Sequence, residues 1–186
     1  MTARRHRGDL FDLFDRCPPR LGPVLAVTTN CTRTTPDGRT VPVSRMGVMG
    51  AGCARAAALR YPGLSDWWGS MVHLGARSGW YAAPPGLLPQ TEAPGGDEGD
   101  RAPEGKNPPA PRRLGCLVTK ANWWEASTAE LVAEGLRSLR QWCDGHPGHG
   151  RILLPLPGAG LGGLPQAVSW QLCDTYLDGR FVVCTL

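Results

Sequence analysis

Arg151-Ile-Leu-Leu-Pro-Leu-Pro-Gly-Ala-Gly-Leu-Gly-Gly-Leu-Pro-Gln166 compresses a strand, a loop and a helix start into one run. Arg151 to Leu156 is short and apolar, with Pro155 near its end, which is the pattern of a buried strand. Pro157 to Gly163 is a glycine loop, and glycine reaches positive φ and lets backbone N–H groups approach a ligand. Pro165 stands where the first turn of a helix tolerates proline, so a helix is expected from about Pro165 to Leu177. Strand, glycine loop and helix in this order are the unit of a layered α/β fold. Its ligands sit at the carboxyl ends of the strands.

The same unit occurs nearer the N-terminus. Pro23 to Thr28 (PVLAVT) reads as a buried strand that runs out into Thr28, Thr29 and Asn30. Thr32 to Arg45 contains the turn pair Asp37-Gly38 and reads as an exposed hairpin or loop. Gly47 to Gly52 is another glycine loop, the first in chain order, and it opens into the alanine-rich CARAAALRY, a good helix former stopped by Pro62-Gly63. Leu64 to Ala76 is expected to be another short helix.

Between the two units the composition changes. Ala82 to Arg113 is rich in proline, glycine and acidic residues, with almost nothing apolar after Leu88. Such a segment cannot bury enough surface to offset its ordering entropy, so it is expected to be a disordered insertion within one domain spanning 1–186. Order returns with Leu114 to Thr119 (LGCLVT), a strand with Lys120 at its end and Trp123 and Trp124 just beyond. Ser127-Thr-Ala-Glu130 has capping-box spacing ahead of Leu131, Val132, Leu136 and Leu139, one face of an amphipathic helix. Asp178-Gly179 turns the chain into a last strand, Phe181 to Leu186.

Composition narrows the function classes. The formal net charge of +4 is too small to argue nucleic-acid binding by itself, although it favours an anionic ligand. The seven cysteines form no C-x-x-C pair and no Cys/His cluster with zinc spacing, so they read as buried reduced thiols. His6, His73, His146 and His149 show no arrangement with a nucleophile, and no metal or cofactor is expected. The N-terminus lacks the apolar core of a signal peptide, and no run of about 18 apolar residues exists. A cytoplasmic protein without a membrane partner is the expectation; oligomeric state is left open.

Both glycine loops precede helix N-termini, whose partial positive charge favours phosphate. Two such loops at one sheet edge suit a diphosphate. The first lacks the Lys-Ser/Thr ending of a P-loop and the third glycine of a dinucleotide fingerprint, which excludes those two nucleotide-binding classes.

Gly8-Asp9-Leu10-Phe11, Met49-Gly-Ala-Gly-Cys-Ala54, Leu117-Val-Thr-Lys120 and Pro157-Gly-Ala-Gly-Leu-Gly-Gly-Leu164 follow one another in the order seen in macrodomains. The chain resembles that family over nearly its whole length, Thr32–Arg45 and Ala82–Arg113 excepted. The match looks closest to the terminal ADP-ribose glycohydrolase branch, which includes a DNA ADP-ribosyl glycohydrolase antitoxin. It is also similar to macro-like proteins of phages and actinobacteria.

The resemblance implies a three-layer α/β/α macrodomain with a mixed central sheet, and ADP-ribose or an ADP-ribosylated macromolecule as partner, including a modified nucleic acid. It gives Asp9 to the adenine amino group and Asn30 to the distal ribose. Gly50, Ala51 and Gly52 fall to the distal ribose and diphosphate, and Gly158, Ala159, Gly160, Leu161 and Gly162 to the diphosphate. Lys120 takes the place of a lysine that attacks the anomeric carbon of the distal ribose. The branch also carries an acid–base aspartate in the second loop, and here that place is Gly162, which cannot move protons. Either another carboxylate, Glu125 or Asp66, takes its part, or water serves, or the protein only binds. Hydrolysis of ADP-ribose from a modified protein or nucleic acid is expected. A non-catalytic reader module and an ADP-ribose-1″-phosphate phosphatase are the alternatives.

Overall fold

A computed structural model describes residues 2–32, 37, 39, 47, 49–88 and 112–185. Six strands form one sheet: β1 (Arg4–Arg7), β2 (Val24–Asn30), β3 (Trp80–Ala82), β4 (Arg113–Lys120), β5 (Ile152–Pro155) and β6 (Phe181–Thr185). Their spatial order is β1-β6-β5-β2-β4-β3. All pairings are parallel except β3 with β4, so the sheet is mixed.

Alternation along the strands sorts side chains to two faces. Leu25 and Val27 of β2 join Cys116, Val118, Leu153 and Val182 in one core cluster, which is covered by α1 (Leu10–Arg16), α2 (Gly52–Arg60) and α3 (Leu64–Leu74). Val24 and Ala26 join Leu117, Ile152, Leu154 and Phe181 on the other face, under α4 (Ala129–Gly145) and α5 (Gln166–Tyr176). The result is the expected three-layer α/β/α arrangement.

Close approach between layers depends on missing side chains. A Cβ on Gly115 would lie 2.4 Å from the Trp80 ring and 2.4 Å from the Tyr81 carbonyl oxygen, so the short antiparallel β3 can lie against β4 only because residue 115 is glycine. On that same face Val132, Leu136, Leu139 and Cys143 of α4 are fully buried. Truncation of one such leucine to alanine typically destabilises by about 2–5 kcal/mol.

The structure corrects several sequence expectations. The insertion is shorter than Ala82–Arg113: Ala82 pairs with Gly115, Ala83 is buried, Pro85–Leu87 form a 3-10 turn, and Leu87 and Leu88 pack against the core. At its far end Arg112 donates to the Phe14 carbonyl and Arg113 begins β4. The remainder, 89–111, lies outside the described residues, as does most of the expected Thr32–Arg45 hairpin.

The capping box is displaced by one residue. Thr128 caps α4, its hydroxyl accepting from the Leu131 N–H at 3.3 Å, and Ser127 is buried behind it. Glu130 then falls at the second helical position, where it faces the positive end of the helix dipole without closing a box. β1 and β3 carry no apolar alternation that would announce them, and both are edge strands.

Candidate functional site

The five parallel strands all end on the same edge of the sheet, and the sequence-predicted site residues collect there. Asn30 ends β2 and is paired in register with Lys120, which ends β4. The second glycine loop follows β5, and Asp9 follows β1. Four strand spacings separate β1 from β4, about 19 Å at ~4.8 Å each, so a ligand touching both Asp9 and Lys120 must be elongated.

The second loop is shaped by left-handed glycines. Gly158 (φ +77°) and Gly160 (φ +60°) occupy the left-handed region that favours glycine. Gly160–Gly162 form a 3-10 turn, not the start of α5, and the loop is closed by Gly162 N–H to the Ala159 carbonyl (3.1 Å) and Leu164 N–H to the Gly158 carbonyl (2.9 Å). The N–H groups of Gly158, Ala159, Gly160 and Leu161 donate to no acceptor among the described residues. Successive unpaired N–H groups around left-handed residues form an anion-binding nest.

The first loop is anchored at Gly47. Its N–H donates to the Ser65 carbonyl (2.6 Å), the Ser65 hydroxyl donates back to the Gly47 carbonyl (3.0 Å), and the Trp68 ring leaves no room for a side chain there. Gly50, Ala51 and Gly52 are exposed, and Ala51 is the N-cap of α2. No side chain caps this end and its first turn holds no acidic residue, so the positive pole of the helix is open to an anion. The two loops face one another: a Cβ on Gly52 would lie 3.4 Å from Leu161 Cδ1.

Lys120 is held by the second loop. Its Nζ donates to the Leu161 carbonyl at 2.5 Å. Leu161 is one of the few large apolar side chains left exposed, at 70 %, and Trp123 beyond Lys120 is another, at 52 %. Trp124 stands edge-on to Trp123, with ring centroids 5.7 Å apart. Trp68 is fully buried core, and Trp67 is half-buried against it.

Asn30 and Asp9 already have protein partners. The Asn30 side-chain oxygen accepts from the Thr32 N–H (3.1 Å) and hydroxyl (2.6 Å), and the Thr32 oxygen accepts from the Trp123 N–H (2.8 Å). This buried relay ties the end of β2 to the segment after β4. Asp9 caps α1, one carboxylate oxygen accepting from the Phe11 and Asp12 N–H groups at 2.8 and 2.9 Å. Its charge also reaches Cys53 in α2: burial is the main cause that pushes this thiol up to about 12, and Asp9 adds to it.

A side chain at Gly162 would require the Ser127 hydroxyl to turn aside. A Cβ there would lie 2.7 Å from Ser127 Oγ, and the Ser127 N–H donates to the Gly162 carbonyl at 2.7 Å. Of the two candidate substitute acids, Glu125 lines a cavity of about 320 Å³ that also touches Ala121, the residue after Lys120. Both Glu125 oxygens, however, accept from Asn122, at 3.0 and 3.2 Å. Asp66 is exposed in the first turn of α3. The sequence reading missed Thr32 and Ser127, because each owes its place to a contact across the chain.

Other clusters are structural. The Cys17, Cys116, Cys143, Cys173 and Cys184 thiols are all pushed up by burial, with Cys143 and Cys173 near 12 and Cys184 near 11. Among the described residues no group of three or more His, Cys, Asp or Glu side chains is placed to hold a metal ion, and no helix is long and apolar enough to cross a membrane.

No protein-family model and no curated protein sequence matches the chain. Solved structures do. The macrodomain of Thermus aquaticus DarG superposes with a TM-score of 0.65 at 24% identity, covering 99% of this chain and 97% of that one. The macrodomain of Mycobacterium tuberculosis DarG gives 0.64 at 19% identity, with 99% and 97% covered. Thermosipho africanus DarTG in complex with ADP-ribose gives 0.65 at 18% identity, covering 98% of this chain and 42% of that one. The chain has the macrodomain fold.

Proposed function

We propose that the chain binds ADP-ribose along the carboxyl ends of its parallel strands and releases it from a modified macromolecule. The observation that carries this reading is the run of four N–H groups from Gly158 to Leu161 that have no acceptor among the described residues, with Lys120 bonded to the same loop. The nest supplies donors to a diphosphate, and the uncapped N-terminus of α2 adds its dipole from the facing side. The free oxygen of Asp9 is available to the adenine amino group, and Asn30 and Lys120 stand at the distal-ribose end. That the Thermosipho africanus relative is described as a complex with ADP-ribose supports the same ligand.

In this reading Lys120 is the nucleophile. The uncharged amine, held beside the loop by the Leu161 carbonyl in the empty protein, turns from that carbonyl and attacks the anomeric carbon of the distal ribose. A carbon–nitrogen bond forms as the bond to the acceptor breaks. The acceptor atom leaves with the electron pair and takes a proton from solvent, and water then releases the ribose from Lys120.

A second reading is binding without turnover, and one observation favours it: the second loop holds Gly162, which cannot move protons, with the Ser127 hydroxyl against it. The two are separated by incubating the protein with ADP-ribosylated protein and ADP-ribosylated DNA and following free ADP-ribose. Release that is lost in Lys120→Ala supports the enzyme. Binding without release from either substrate supports the reader.

A further inference from the structure

Ser127 is 94% buried, its residue exposure being 6%, and its hydroxyl has no hydrogen-bond partner. An unpaired buried hydroxyl typically costs about 1–3 kcal/mol, and a serine one residue before an N-cap has no propensity reason to be there. The hydroxyl faces the second glycine loop: it lies 2.7 Å from where a Cβ of Gly162 would stand. The backbone of the same residue already fastens that loop through the Gly162 carbonyl. The preceding loop carbonyl, Leu161, is held by Lys120. Two consecutive loop carbonyls are thus gripped by residues at the two ends of the β4–α4 connection, and a third donor stands idle beside them.

We propose that Ser127 is a positioning residue and that its hydroxyl is the spare donor for the second loop. When Lys120 turns to the distal ribose, the Leu161 carbonyl loses its strongest donor at the moment that ligand covers it and excludes water. Ser127 then supplies the replacement bond. The exchange keeps the loop closed on the diphosphate and frees the amine without leaving a buried carbonyl unpaired. This rests on the ADP-ribose reading above and extends it to how the site reorganises on binding.

The test compares wild type, Ser127→Ala and Ser127→Cys by thermal melting without ligand and by calorimetry with ADP-ribose. The expected result for Ser127→Ala is a melting temperature equal to or above wild type with ADP-ribose affinity about 3- to 10-fold weaker, one typical hydrogen bond. Ser127→Cys, a similar shape with a weak donor, is expected between the two. A lowered melting temperature without ligand means that the hydroxyl already serves the empty fold, and overturns the proposal. Equal affinity in wild type and Ser127→Ala also overturns it. Absence of ADP-ribose binding by the wild-type chain sinks the functional reading itself, an outcome distinct from the other two.

Discussion

The Lys120 ammonium nitrogen lies 2.5 Å from the carbonyl oxygen of Leu161, so the end of β4 and the second glycine loop share one hydrogen bond. A lysine ending a strand is ordinarily a solvated cation. Here it is fixed against a loop in which the N–H groups of Gly158 to Leu161 have no acceptor among the described residues.

If Lys120 is the nucleophile, Lys120→Ala abolishes release of ADP-ribose while its affinity stays within a few-fold of wild type. Single-turnover release and calorimetry on the same preparation check this. Equal loss of binding and turnover would instead make Lys120 a ligand contact or a brace for the loop.

Gly160 separates conformational from electrostatic effects. Nothing lies within 4 Å of a Cβ placed there, but its φ of +60° strains any other residue. Gly160→Ala is expected to destabilise by about 1–2 kcal/mol and still bind. Gly160→Glu is expected to abolish ADP-ribose binding, because it adds a negative charge beside the diphosphate nest. Unchanged affinity in Gly160→Glu, against the alanine control, would remove the second loop from the site.

An acid placed at position 162 is expected to displace the Ser127 hydroxyl. In Gly162→Asp the new Cβ would lie 2.7 Å from Ser127 Oγ, which must rotate away, a cost at the low end of the ~1–3 kcal/mol typical of overpacking. Ser127→Gly should recover most of that loss, and a double-mutant cycle by chemical denaturation measures the coupling. Additive effects would mean that the two residues do not share this space.

His149 gives the fold a pH dependence. The side chain is buried, with Nδ1 2.8 Å from the Gly22 carbonyl. Burial, helped by the charges of Arg113 and His146, holds its pKa below the usual 6.5 against the opposing effect of that hydrogen bond. The folded chain therefore binds this proton less readily than the unfolded chain. The contribution is complete above pH 6.5 and is lost as pH falls through the lower folded value. Melting temperature should drop between pH 7.5 and 5.5, and less in His149→Asn, which keeps a donor towards Gly22. An identical slope in both proteins would assign the dependence elsewhere.

The fold was legible where chemistry repeats in sequence. Val24–Asn30, Arg113–Lys120 and Ile152–Pro155 are apolar runs between turn residues, and Pro62-Gly63 and Pro165 mark helix ends, whereas the stop at Gly75 falls just short of the expected Ala76. β1 is legible to no such rule: Arg4-Arg-His-Arg7 is an edge strand held by backbone pairing to Phe181–Thr185, far along the chain. The apparent capping box failed because Ser127 is occupied by packing against Gly162, which leaves the cap to Thr128. Site positions were legible as glycine loops and strand ends. The Asn30–Thr32–Trp123 relay was not, since it joins two strand ends that only the fold brings together.

Titration calorimetry of the wild-type chain with ADP-ribose, with ADP and AMP as comparisons, tests the central claim most directly. The account predicts micromolar binding of ADP-ribose that weakens at least tenfold when the distal ribose is absent, since Asn30, Lys120 and the first loop then lose their contacts. Absence of binding to all three, or equal binding of ADP and ADP-ribose, would contradict it.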